Sequence, residues 1–383
     1  METIINRNLP YDWIQKSPAL GLSSPAPMMA ARLKDFAVES LLRFTGSQKF
    51  LTTQLDITNA CNLSCAHCYH SNHSNAGALD FDGWGKILDQ YGQLARKLHL
   101  APRFVICGGE PTLSPLFFPM LSELNSRWPG VHITVLTNAT RLTEGLVSSL
   151  RAYNLGFQIS LDGPDRERHD LIRGAGNFAQ ALAGLKNLQH AGMNATFLAT
   201  LSHKTSLWIS DFFEIAAQCG VEQMNFTRFI SQGYGRKLEE RHEDRPLEAL
   251  ELRDAYNTIL ACSKSSGVKT NTNLPLYHLI DPNLGANGKS GFQGLIIDYM
   301  GNLKVSSRVN FKLGNILEEG LESLFLRHPL MEAFRDRKIE GCGSCVHFEH
   351  CGGDRNSSYV TTGSFLRKDP GCWLNMMPQE AKG

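Results

Sequence analysis

Asn59-Ala-Cys-Asn-Leu-Ser-Cys-Ala-His-Cys-Tyr69 sets Cys61, Cys65 and Cys68 at a C-x3-C-x2-C spacing. Thiolates are soft ligands, and three of them on one tight loop suit three irons of a cubane iron–sulfur cluster. The loop brings no fourth cysteine, so one iron stays open to bind something else. A structural zinc site is the competing reading, because zinc takes four protein donors and His67 or His70 can complete the set.

Outward from this loop the chain alternates between two periods. Phe50–Ile57 reads as a strand, with apolar Leu51, Leu55 and Ile57, and a helical pattern follows from Phe81 to Leu98. Phe104–Cys107 is a short apolar strand that runs at once into Gly108-Gly109-Glu110-Pro111. The two glycines permit close approach to the backbone, and the carboxylate can accept from an ammonium group. Val131–Leu136 leads into Thr137-Asn138-Ala139-Thr140, and Gly156–Leu161 leads into Asp162-Gly163. Strands at Ala195–Leu201 and Glu222–Phe229 alternate with helices at Thr143–Tyr153, Phe178–Ala191 and Leu207–Cys219. This order predicts an α/β fold with a parallel sheet of βαβ units. Glycine and polar residues gather where the strands end, which is where such sheets bind ligands.

Five elements over residues 50–230 together resemble the radical S-adenosylmethionine (SAM) enzyme family. They are the cysteine loop, Gly108-Gly109-Glu110-Pro111, Thr137-Asn138, Ser160-Leu161-Asp162-Gly163 and His169-Asp170-Leu-Ile-Arg173-Gly174, in family order. The resemblance implies a partial (β/α)6 barrel. It implies a [4Fe-4S] cluster on Cys61, Cys65 and Cys68, with the methionine amino and carboxylate groups of SAM at the open iron. By position, Glu110 with the backbone of Gly108 and Gly109 would take the methionine ammonium. Ser160 and Asp162 would meet ribose or the methionine moiety. Arg173 would match the carboxylate bidentately, and His67 would lie near adenine. Ala139 departs from the family's Thr-Asn-Gly. Simpler readings stand beside these roles. Asp162-Gly163-Pro164 can be only a turn, and Asn138 can cap the next helix. His169 and Asp170 can orient a helix start, and Cys107, Cys219 and Cys262 can be small buried hydrophobes.

Four further cysteines, Cys342, Cys345, Cys351 and Cys372, follow a C-x2-C-x5-C-x20-C pattern in a glycine-rich segment with little apolar periodicity. Such a segment needs a metal to organise it. With Leu313-Gly314-Asn315-Ile316 and the turn Asp298-Tyr-Met-Gly301-Asn302, it resembles the SPASM/twitch extension of the same family. Full SPASM domains bind two auxiliary clusters. Here Ser306, Ser307 and Arg355 stand where further ligands are expected, and serine replaces a soft ligand poorly. One auxiliary [4Fe-4S] cluster on the four cysteines is the expectation, with zinc as the alternative.

Composition sets limits. The chain has 383 residues, 42% of them apolar, enough for one large and one small domain. Its 38 basic and 37 acidic residues, net +1, argue against a broad nucleic-acid surface. Arg236–Arg245 is mixed in sign and reads as a solvated linker or a helix start. No apolar stretch reaches membrane-spanning length, the N-terminus lacks a signal-peptide pattern, and ten cysteines read as metal ligands more readily than as disulfides. The expected location is cytoplasmic, with no nucleic-acid or membrane partner. The expected organisation is an N-terminal arm over residues 1–49, a barrel over 50–235, a bridging helix and loop over 236–289, and the auxiliary-cluster domain over 290–383. The loop Asn271–Ser290 is long enough to serve the substrate site.

The resemblance implies a radical enzyme. An external reductase, flavodoxin or ferredoxin supplies an electron, SAM is cleaved to a 5′-deoxyadenosyl radical, and the radical takes a hydrogen from the substrate. The expected substrate is a ribosomally made peptide whose side chains are oxidised or cross-linked. The alternative is a radical dehydrogenase or epimerase of a small molecule such as an aminocyclitol or sugar. A metal-stabilised binding protein without catalysis is a third reading, opposed by the intact cysteine loop and Glu110. Tyr234, His242, His278 and Asp281 lie near the barrel-mouth loops as possible general bases, and none is assigned.

Overall fold

The computed structural model describes residues 50–286 and 294–376. The arm expected over residues 1–49 lies outside the described residues, as does the end of the long loop.

Alternation builds the sheet. In Ile133–Thr137 and Leu155–Ser160 every second side chain is buried, the period of a strand packed on a core. Six strands pair in parallel in chain order: β1 (Phe50–Asp56), β2 (Ala101–Cys107), β3 (Ile133–Thr137), β4 (Leu155–Ser160), β5 (Ala195–Leu201) and β6 (Met224–Arg228). Parallel neighbours need long crossovers, and helices supply them. The first crossover helix, Phe81–Leu98, is capped by the Asp80 side chain, which accepts from Gly83 N–H. It buries Trp84, Ile87, Leu88, Tyr91 and Leu98, the stripe expected at helical spacing. The Tyr91 hydroxyl donates to the Leu51 carbonyl at 2.7 Å, so the helix is tied to β1 as well as packed on it. The helix expected at Leu207–Cys219 begins later, at Ile209, behind a separate turn (His203–Ser206) that Ser202 caps. The parallel strands and their helices form the βαβ sheet that the alternation predicts, arranged as the partial barrel that the family resemblance implies.

The chain then returns to the same sheet. After the helix Ala249–Ser266, strand β7 (Leu295–Ile297) adds to the free side of β1 in parallel, with Thr53 opposite Leu295 and Leu55 opposite Ile297. β8 (Asn302–Lys304) and β9 (Lys312–Asn315) follow antiparallel, giving nine strands. The turn between β7 and β8 is held by Asp298 Oδ1, which accepts from the amides of Met300 and Asn302, with Gly301 at φ +82°. The cysteine-rich tail is therefore rooted in the barrel's own sheet. Three helices between Ile316 and Arg335 lead to it. No described helix is long and apolar enough to cross a membrane.

Candidate functional site

The cysteine loop leaves β1 and crosses the C-terminal ends of the strands. Its stem is pinned by Asn75, whose Oδ1 accepts from Asn59 N–H at 2.6 Å, and by Asn59 Nδ2, which donates to the Ser74 carbonyl. Its far side is held by Ala66 N–H on the Ile172 carbonyl and by Tyr234 and Gly235 N–H on the Cys68 carbonyl. The Gly108-Gly109 turn lies against this stem. Gly108 has φ +140°, and a Cβ there would fall 2.1 Å from the Thr58 carbonyl oxygen; one on Gly109 would fall 2.3 Å from that of Ala60. The close approach that demands these glycines is first that of the chain's own loop.

A cavity of about 290 Å³ opens there, lined by Cys61, Cys65, Cys68, His67, Gly108, Gly109, Asn138, Ser160 and Arg173. The ends of β2 through β6 all reach it, through Cys107, Thr137, Ser160, Thr200 and Arg228. Burial pushes all three loop thiols up, Cys68 to about 11. Soft sulfur donors that are held uncharged until a cation arrives suit an iron cluster. Among the described residues no three His, Cys, Asp or Glu side chains converge as they would around a single ion. The three loop thiols line one cavity, and their soft sulfurs suit an iron–sulfur cluster.

Two expected ligand-binding carboxylates are turned away from this cavity. Glu110 is almost fully buried. Its Oε1 accepts from Thr112 N–H, Thr112 Oγ1 and Thr137 Oγ1, and its Oε2 from Asn138 N–H. It clamps the loops after β2 and β3 together and shapes the cavity through the backbone it holds. Burial pushes its carboxyl up against these four donations. Asp162 is fully buried too. It accepts from Arg173 Nε at 2.5 Å and from Thr200 N–H at 2.6 Å, and His67 Nε2 lies 2.7 Å away. Burial alone would raise its carboxyl, but Arg173 and His67 outweigh it and hold the group well below the usual carboxylate range. Asp162 thus aims the two side chains that do line the cavity. Arg173 Nη1 approaches Cys65 Sγ at 3.9 Å.

The simpler readings divide. Asn138 does not cap the next helix, a task that Thr143 performs. It closes its own turn on Thr140 and donates to Asn62 Oδ1 on the cysteine loop. Asp170 does orient a helix start, accepting from Gly176 and Phe178 N–H. His169 is buried against the Phe178 ring. Cys107 is buried and pushed well up by it. Tyr234, His242, His278 and Asp281 do not line the barrel cavity.

The second cysteine set also comes together. Cys342, Cys345, Cys351 and Cys372 all line a separate cavity of about 340 Å³. Burial pushes Cys351 to about 11 and raises Cys372. Of the positions expected to have lost a ligand, Ser306 caps its own turn toward Arg308, Ser307 faces the barrel cavity, and Arg355 is buried with Nη2 3.6 Å from Cys342 Sγ.

The model of the Radical SAM superfamily matches residues 55–214, from the end of β1 through the three-thiol loop and β5. Residues 55–214 form a radical SAM domain. Radical SAM proteins bind a [4Fe-4S] cluster and SAM, and SPASM/twitch relatives add auxiliary clusters. The chain is 29% identical over 335 residues to mycofactocin maturase MftC of Mycobacterium ulcerans, covering 83% of this chain and 86% of that protein. It is 25% identical over 340 residues to the AdoMet-dependent heme synthase of Methanosarcina barkeri, covering 83% and 94%. Among solved structures, Streptococcus suis SuiB bound to precursor peptide SuiA superposes with a TM-score of 0.68 at 18% identity, covering 92% of this chain and 82% of that one. That likeness spans barrel and tail alike.

Sequence reasoning missed Arg228, Arg308 and Asp369. Arg228 sits at the polar end of β6, where the strand-end rule points, but its partner Asp369 lies far along the chain. Arg308 Nη1 donates to the Arg228 carbonyl at 2.8 Å and lines the same cavity.

Proposed function

We propose that this radical SAM enzyme oxidises or cross-links side chains of a ribosomally made peptide. Cys61, Cys65 and Cys68 hold the cluster that SAM meets, and Cys342, Cys345, Cys351 and Cys372 hold one auxiliary cluster. The carrying observation is the pair of thiol-lined cavities, three cysteines under the strand ends and four in the tail, within one fold. When bound, the cluster would supply the one-electron reduction of SAM on which hydrogen abstraction from the substrate depends.

The chain's own residues do the rest. Arg173, aimed by Asp162, presents a guanidinium to the cavity for the SAM carboxylate. Gly108, Gly109 and Asn138, held in register by Glu110, offer backbone and amide groups to the methionine end. Ser160 offers a hydroxyl to the ribose. His67 is fixed on one nitrogen by Asp162 and lies at the wall for adenine. SuiB's precursor peptide and the fold shared through the tail support a peptide substrate, and a reductase, flavodoxin or ferredoxin is the matching electron source. The 25% identity to a heme synthase is the observation behind the competing small-molecule reading.

The experiment is anaerobic turnover of reconstituted protein with SAM and a reductant. Candidate precursor peptides and small molecules are added separately. A peptide that accelerates 5′-deoxyadenosine release and changes mass by hydrogen loss supports the proposal. Acceleration by a small molecule alone overturns the peptide assignment.

A further inference from the structure

Arg355 stands four residues after Cys351, where a second set of tail ligands would continue. Its side chain is 4% exposed. Nε donates to the Gly353 carbonyl at 3.3 Å, and Nη1 donates to the carbonyls of Phe365 at 2.9 Å and Arg367 at 2.7 Å. These backbone acceptors aim the planar fork, and Nη2 is left facing Cys342 Sγ at 3.6 Å. Gly353 makes room for it: with φ +68°, a Cβ there would overlap the guanidinium.

A guanidinium does not lose its proton in a protein, and a buried cation calls for a counter-charge. Arg355 forms no ion pair with a carboxylate among the described residues. Asp369, on the same cavity, is held by Arg228 on both oxygens. Of the four acceptors on Arg355, only the Cys342 sulfur can carry charge, and it does so as a ligand to iron.

We propose that Arg355 donates a charge-assisted hydrogen bond to the ligating Cys342 thiolate and so raises the reduction potential of the auxiliary cluster. Reduction adds negative charge to a cluster and its sulfurs, so a fixed cation and donor stabilise the reduced form more than the oxidised one. The residue that replaces an expected ligand thereby tunes the remaining cluster as an electron acceptor. This inference rests on iron–sulfur ligation by the four tail cysteines and is independent of the substrate.

The test compares reconstituted wild type, Arg355→Gln and Arg355→Lys. Iron, sulfide and zinc are counted first, then both clusters are titrated potentiometrically with electron paramagnetic resonance detection. Arg355→Gln is expected to keep its iron and to lose about tenfold in the auxiliary cluster's reduction equilibrium, a shift of about 59 mV to more negative potential. The barrel cluster is expected not to move, and Arg355→Lys, which keeps the charge without the fork, to fall between. An unchanged auxiliary potential at full iron overturns the proposal. So does loss of iron from both variants, which makes Arg355 a structural clamp, and so does zinc in the wild-type tail. None of these outcomes bears on whether the substrate is a peptide.

Discussion

The Arg228 guanidinium grips the Asp369 carboxylate with two hydrogen bonds, Nη1 to Oδ2 at 2.9 Å and Nη2 to Oδ1 at 3.1 Å. Arg228 ends β6 and lines the barrel cavity, whereas Asp369 lines the four-cysteine cavity and takes the Cys372 N–H on its own carbonyl. Asp354 and Gly371 N–H also donate to the Asp369 carboxylate. A third cavity, of about 590 Å³, is bounded by both Arg228 and Cys372, so this pair stands where barrel, linker and tail meet.

Asp369→Asn leaves the Arg228 cation buried without its main counter-charge. The expected loss is about 3–5 kcal/mol of unfolding free energy. Adding Arg228→Met should return part of it. Denaturant unfolding of the two single variants and the double variant measures this coupling, and strictly additive losses would show that the pair is not the joint.

Each thiol set should account for its own iron. Wild type reconstituted without oxygen is expected to hold about eight irons, falling to about four when Cys61, Cys65 and Cys68 become alanine. Replacing Cys342, Cys345, Cys351 and Cys372 should remove the other half and leave SAM cleavage measurable. About four irons in wild type with zinc retained would make the tail site structural.

Glu110→Gln keeps the shape of the clamp but puts an N–H₂ among donors. Two donors would then face each other in a buried place, at about 1–3 kcal/mol. The loops after β2 and β3 should loosen, raising the KM for SAM by roughly tenfold or more while the iron content holds. Unchanged SAM affinity would show that the clamp does not shape the cofactor cavity.

Asp56 carries a pH signature. Burial, opposed by a hydrogen bond from Gln54, pushes its carboxyl from 3.8 up to about 6. The folded chain therefore holds this proton to higher pH than the unfolded chain, and stability is lost as pH rises from about 4 through 6. Asp56→Asn removes that loss, at most about 3 kcal/mol above pH 6. Thermal unfolding of both proteins at pH 4.5 and 7.5 checks the sign: the advantage of the variant should grow with pH, and a constant difference would refute it.

Much of the barrel is legible in the residue order. The two-residue alternation in Ile133–Thr137 and the helical stripe of Phe81–Leu98 are local patterns, and local patterns report strands and helices directly. The same holds for the cysteine spacings, since ligands within a few residues share one loop wherever that loop goes. Side-chain direction is less legible. Glu110 and Asp162 read as ligand-facing from their motifs, yet both point into the protein, because donors from β3, β5 and the loops reach them first. Nothing near Glu110 in the chain announces Thr137 or Asn138.

The sequence by itself determined the parallel βα order, the three-thiol C-x3-C-x2-C loop, and the close spacing of the tail cysteines. These depend on spacing between near neighbours, which the covalent chain dictates. Only the tertiary structure decided that the tail begins as a seventh parallel strand beside β1, that Asp162 aims Arg173 and His67, and that Arg228 meets Asp369 across 141 residues. Those relationships come from which surfaces bury each other and which buried charges then find partners, and neither is written in the distance along the chain.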